Sequence, residues 1–174
     1  MAQCALNEAR RLAKKEGLSI TYEQGDLNDI RLKPGSYDLV LTQNCLHHVL
    51  QLEALAREIF RSMTPDGLLW ISDYVGETQF RYTDKRLEIV NAVLRILPGK
   101  VRTNRVSNRV LKQVQRPTPG ELASPSEAIR AAEIMPVFSD YFNVLEKREN
   151  GAILQLVTPL GAKRDYLENE DTRA

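Results

Sequence analysis

The sequence has no long apolar run, few cysteines and almost no net charge, and each scarcity closes a class of function. Its longest apolar stretches, such as Leu68 to Ile71, fall far short of the roughly 20 residues that span a bilayer. No membrane segment is expected. The two cysteines, Cys4 and Cys45, form neither a disulfide framework nor a metal quartet, which fits a reducing compartment. Met1 to Arg10 lack the basic start and apolar block of a secretory leader, so the cytoplasm is the expected location. With 24 basic and 23 acidic residues the net charge is +1. Such a chain has no overall field to gather nucleic acid or an anionic membrane, and any charge recognition must be local. Internal repeats and low-complexity tracts are absent as well.

What remains is 174 residues, 43% hydrophobic and 27% charged, the size and composition of one globular domain. Leu6, Ala9, Leu12 and Ala13 share a helical face, and Gly17 stands where a helix over about residues 2–16 would meet a left-handed cap. Leu18 to Tyr22 read as a short strand broken by Gly25 and Asp26. After Lys33, Pro34 and Gly35, the run Tyr37 to Thr42 suits a strand buried on both faces of a parallel sheet. Leu52, Leu55, Ala56, Ile59, Phe60 and Met63 mark an amphipathic helix, stopped by Pro65, Asp66 and Gly67. Leu68 to Ser72 make the next strand, ending at Asp73. Helix, strand, helix, strand is the order of an α/β domain.

Further on, a helix is predicted from Thr83 to Leu97, stopped by Pro98 and Gly99. Ser124, Pro125, Ser126 and Glu127 form a helix start, for a helix from Ser126 to about Val137. Phe142 to Glu146 and Gly151 to Val157 read as an antiparallel hairpin joined by Arg148, Glu149 and Asn150. The expected plan is a domain over residues 1–160, with a helical insertion at about 82–116 and a frayed acidic tail at 161–174.

Ligands of open α/β sheets bind beyond the carboxyl ends of the parallel strands. Gly25, Asp26 and Leu27, then Gln43, Asn44, Cys45, Leu46, His47 and His48, then Asp73 and Tyr74 occupy those places. They would set a carboxylate, amides and imidazoles on one rim.

At these residues the chain resembles the class I S-adenosylmethionine-dependent methyltransferases. The matching segments are Gly25-Asp26-Leu27, YDLVLTQNCLHHV from Tyr37 to Val49, and SMTPDGLLWISD from Ser62 to Asp73. SPSEAIRAAEIMPVFSDYF and GAILQLV are similar to the family's closing helix and hairpin, so the resemblance runs from about Ala2 to Val157. It implies a Rossmann-like doubly wound sheet, with Asp26 and Leu27 at the adenine of S-adenosylmethionine and Gln43 and Asn44 near the cofactor's centre. The family's glycine-rich loop and ribose-binding acid should lie upstream of Asp26, and residues 1–25 contain no G-x-G. Two strands and one helix of the expected sheet are therefore missing from it, as in an amino-terminally shortened form or one that takes the missing half from a partner or a second copy.

The resemblance implies methyl transfer to a small molecule; the alternative is a non-catalytic methyltransferase-like subunit that binds a partner protein. His47 and His48 are the candidate proton acceptors for a hydroxyl or amine acceptor, with packing as the plainer role. No metal site is expected, because adjacent histidines project in different directions and no third ligand is evident. A turn cap is the plainer alternative for Asp26, whose place at a strand end favours cofactor contact, and Cys45 reads as a small buried residue. Lys100, Arg102, Arg105, Arg109, Lys112 and Arg116 run without an acid among Val101, Val106, Val110 and Val114. They are read either as a solvated face or as an amphipathic lid in which Arg105 and Arg109 meet an anionic acceptor.

Overall fold

The structure, a computed structural model, describes residues 3–122, 124–151 and 153–159. The acidic tail lies outside the described residues. The first helix, α1 (Gln3–Lys15), buries Leu6 and Ala13. Gly17 closes it at φ 66°. Leu18 N–H donates to Ala13 O at 2.9 Å and Gly17 N–H to Lys14 O at 3.2 Å, the paired bonds of a Schellman ending. Leu18 to Tyr22 then join no sheet, contrary to the strand expected there. A strand needs a ladder partner for its backbone groups. Here Tyr22 O instead accepts from the Arg10 guanidinium at 2.8 Å.

The parallel pair is β1 (Tyr37–Gln43) and β2 (Met63–Ser72), joined across α2 (Leu52–Ser62). Leu39 pairs with Leu68, Leu41 with Trp70 and Gln43 with Ser72. Between the Tyr37–Met63 and Leu39–Leu68 pairs, residues 64–67 leave the ladder. A Cβ at Gly67 would stand 3.0 Å from Tyr37 O and Thr64 O, a crowding that glycine avoids.

One face of the pair carries the core. Val40, Leu69 and Ile71 pack against Leu46, Val49, Leu52, Leu55, Ala56, Ile59 and Met63, and α4 (Ile134–Ser139) adds Ile134, Val137 and Phe138. The other face is open, not buried as its apolar run implied: Leu39, Leu41, Leu68 and Trp70 are 54%, 63%, 53% and 49% exposed. No described segment covers that face enough to bury them.

The predicted helix over 83–97 is α3 (Asp84–Ile96), whose capping residue Thr83 accepts from Arg86 N–H at 3.2 Å. The insertion is helical only that far. After a 3-10 turn at Gly99–Arg102 it forms a small antiparallel pair, β3 (Thr103–Asn104) and β4 (Arg109–Val110). Asn104 Oδ1 accepts from Val106 and Ser107 N–H, which favours a turn over another helical segment.

Residues 126–130 form turns instead of the expected helix. Ile129 N–H donates to His47 O at 3.0 Å and Ala128 O accepts from Gln79 N–H at 2.7 Å, so tertiary contacts take the groups a helix would have used. The expected carboxyl-terminal hairpin is likewise not formed by the described residues. Phe142 to Asn150 join no ladder, and α5 (Leu154–Val157) is a helical turn packed with Val90 and Leu94 of α3. Burial against α3 outweighs the weak β preference of that stretch. No helix among the described residues is long and apolar enough to cross a membrane.

Leu52→Ala, at a fully buried position, is expected to cost about 3 kcal/mol. Leu41→Ser, on the open sheet face, should stay within about 0.5 kcal/mol; urea unfolding of both variants measures the contrast. Acid should weaken the fold through Glu58. The Arg61 guanidinium, with Leu32 N–H, holds its carboxyl down from 4.5 to about 2. A depressed carboxylate stabilises above its unfolded value and ceases to as pH falls through its folded one. Stability should therefore drop between pH 4.5 and about 2, and Glu58→Gln should lessen that drop in a pH series of thermal melts.

Candidate active site at the strand ends

Gln43 ends β1 and Ser72 ends β2 at the same level, so everything that follows them shares one rim. Asn44 N–H still donates to Ser72 O at 2.9 Å, and Asn44 then turns the chain at φ 49°. A 3-10 turn follows at Leu46–His48.

The centre of the rim is Asp73, whose side chain is fully buried. Its Oδ2 accepts from Cys45 and Leu46 N–H, both at 2.8 Å. Its Oδ1 accepts from Tyr74 N–H at 2.8 Å and meets His47 Nδ1 at 2.5 Å. A buried carboxylate is tolerable only when saturated in this way. Since the carboxylate accepts, Nδ1 carries the proton and Nε2 points on as the free imidazole nitrogen.

Nε2 faces Glu127 Oε1 at 3.5 Å, and His48 Nδ1 lies 3.9 Å from Glu127 Oε2. The two imidazole rings are 4.0 Å apart between centroids. These contacts correct the expectation drawn from the sequence: the adjacent histidines converge, and the third group comes from a residue some 80 positions away in the chain. In the sequence Glu127 has the place of the glutamate at the third position of a helix start capped by Ser124. Nothing in its local pattern signals the role, because the fold alone brings it to the rim.

Behind Glu127, Ala128 is fully buried with φ 49°. A left-handed alanine is strained by about 1 kcal/mol; its own carbonyl, accepting from Gln79 N–H, and the next residue's amide, donating from Ile129 to His47 O, hold it there. An apolar depression lined by Phe80, Tyr82, Val114, Pro117, Leu122 and Leu156 opens beside Glu127.

Other expected residues fall into two groups. Gln43 and Asn44 are exposed on the rim with side chains that make no hydrogen bond to the described residues. Asp26 caps a turn, Oδ1 accepting from the backbone and side-chain N–H groups of Asn28, both at 2.9 Å, which hold its carboxyl below the usual range. Asn28 Oδ1 in turn accepts from Leu50 and Gln51 N–H at 2.9 and 3.1 Å, tying that turn to the start of α2. Leu27 packs on the core. Asp26 Oδ2 and the side-chain amides of Gln43 and Asn44 make no hydrogen bond to the described residues. Arg105 and Arg109 are exposed at the β3–β4 hairpin and do not line the depression. The lid reading fails for the same segment: Val101 is buried, Val114 packs toward α3 and Val106 faces solvent, so the valines share no amphipathic face. Burial first, and the Asp73 charge second, push the Cys45 thiol up, so it stays protonated.

Residues 1–71 match the family model described as a methyltransferase domain. A norajmaline N-methyltransferase from Rauvolfia serpentina is 35% identical over 68 residues, 38% of this chain and 23% of the relative. A sterol 24-C-methyltransferase, erg6, from Aspergillus fumigatus is 29% identical over 72 residues, 40% of this chain and 19% of the relative. The matches thus span about a fifth to a quarter of these relatives' length. Among solved structures, the PH0226 protein from Pyrococcus horikoshii OT3 superposes with a TM-score of 0.40 at 18% identity, over 62% of this chain and 46% of that one.

Asp73→Ala strands three backbone donors and an imidazole. It is expected to cost about 3 kcal/mol or more, and Asp73→Asn, which keeps one acceptor oxygen, about 2 kcal/mol. The shift of the urea midpoint at unchanged slope checks both.

Proposed function

We propose, from the match of residues 1–71 to a methyltransferase-domain model, that the protein is a class I S-adenosylmethionine-dependent methyltransferase that transfers a methyl group to a small, largely apolar molecule bearing a hydroxyl or amine. The observation that carries the reading is the shared rim: unpartnered amides at Gln43 and Asn44 beside an imidazole oriented by a buried carboxylate. S-adenosylmethionine, when bound, supplies a methyl group on a sulfonium centre. Asp26 and the Leu27 backbone would hold its adenine, and Gln43 and Asn44 its middle part. The open, largely apolar depression beside Glu127 takes the acceptor. His47 Nε2 takes the proton that the acceptor loses. Positioning supplies most of the rate in such a displacement, and the proton acceptor the remainder.

An anionic acceptor held by Arg105 and Arg109 is not the favoured reading, since neither lines the depression. The two free thiols agree with a cytoplasmic location. A second reading, a non-catalytic subunit that binds a partner protein, is favoured by the open apolar sheet face at Leu39, Leu41, Leu68 and Trp70.

Calorimetric titration with S-adenosylmethionine discriminates the two. Saturable binding, weakened about 10-fold or more by Asp26→Ala through loss of a charged hydrogen bond, supports the enzyme. Absence of binding, with a stable complex recovered on mixing with a partner subunit, supports the second reading.

A further inference from the structure

We propose that His47, His48 and Glu127 form a binding site for a divalent transition-metal ion of the zinc type. The three residues each offer a ligand atom, all within 4.8 Å of one another. Two ligand atoms held about 2.1 Å from a tetrahedral ion lie roughly 3.4 Å apart. The Glu127 oxygens stand 3.5 Å from His47 Nε2 and 3.9 Å from His48 Nδ1, so small rotations close the set.

Three observations make this a built site and not a chance cluster. The Glu127 side chain is only 17% exposed, yet its carboxylate makes no hydrogen bond to the described residues, and its distances to both imidazoles are too long for one. A mostly buried charge left in that condition needs a counter-charge. Next, His47 donates Nδ1–H to Asp73, and a carboxylate behind a ligating imidazole fixes its tautomer and raises its basicity as a metal ligand. Last, Ala128, left-handed and fully buried, fixes the main chain that carries Glu127.

Two imidazoles and a carboxylate suit zinc, nickel, cobalt or iron(II) better than magnesium or calcium, which favour all-oxygen shells. His48 is 41% exposed, so one side of the set faces solvent and the fourth position stays open. That is the arrangement in which an ion holds a water or a substrate hydroxyl. An ion on His47 Nε2 removes that nitrogen as a proton acceptor; coordination would then acidify an acceptor hydroxyl, whose proton leaves to water on the solvent-facing side at His48. The proposal goes beyond methyl transfer, and its test needs neither cofactor nor acceptor.

Zn2+ alone is titrated into the purified, chelator-stripped chain by calorimetry, and Co2+ is followed by its visible absorption. The expected result is one saturable site per chain, with the intense bands of a four- or five-coordinate cobalt centre. His48→Ala, at an exposed position, should weaken binding at least 10-fold without loss of fold, and Asp73→Asn should weaken it about 10-fold or more through the Nδ1 bond. Glu127→Gln keeps the shape of the side chain and removes the anion; it too should weaken binding at least 10-fold. Absence of saturable Zn2+ and Co2+ binding would overturn the proposal, as would binding left unchanged by both His48→Ala and Glu127→Gln. Metal binding without S-adenosylmethionine binding would sink the enzyme reading and leave this site standing; the reverse outcome would do the opposite.

Discussion

The Asp73 carboxylate is the contact on which the rim depends. It sits at the end of β2 and takes the backbone of the segment that follows β1, so one charged group joins two strand ends into a single surface. Neutral groups could not do this as well, because charge-assisted bonds are about twice as strong and the Asp73 side chain is fully buried. The same carboxylate selects the tautomer of His47. Fold and chemistry are therefore tied to one atom pair: what stops the β1 loop from fraying also decides which imidazole nitrogen faces outward.

Around that contact the molecule is built on one side. The core lies under β1 and β2, filled by α2 and α4, and a second cluster gathers α3 with α5. Parallel strands ordinarily carry cover on both faces. Here the opposed pairs Leu39–Leu68 and Leu41–Trp70 make an apolar strip that meets solvent. The strip lies on the face away from the core, so what covers it and what binds at the strand ends are separate questions.

The parts legible in the sequence are those set by local pattern. Periodicity placed α1, α2 and α3, the two apolar runs placed β1 and β2, and Gly17 and Thr83 marked their helix ends through rules that act within a few residues. The strand-end rule placed Gln43, Asn44, His47 and Asp73 on one rim. What stayed hidden depends on distant partners. Leu18 to Tyr22 have strand composition and no ladder; Leu154 to Val157 have strand composition and lie on α3. Ser124 to Glu127 look like a helix start, but the His47 carbonyl takes the Ile129 amide and unwinds it. That exchange of partners brings Glu127 to the histidines, so the unwound helix start and the third group at the rim have one cause.

Ala128 carries a further consequence, in the entropy of association. A glutamate side chain loses rotamer freedom worth about 1 to 2 kcal/mol when fixed, and a free loop would add the cost of ordering its backbone. The left-handed residue behind Glu127 has its main chain pinned between the turn after β1 and the turn at Thr78–Phe80. The backbone share of the ordering cost is thus met when the chain folds. Whatever settles between the imidazoles and the carboxylate meets preorganised ligands, and its affinity reflects the contacts themselves with little deducted for assembling them.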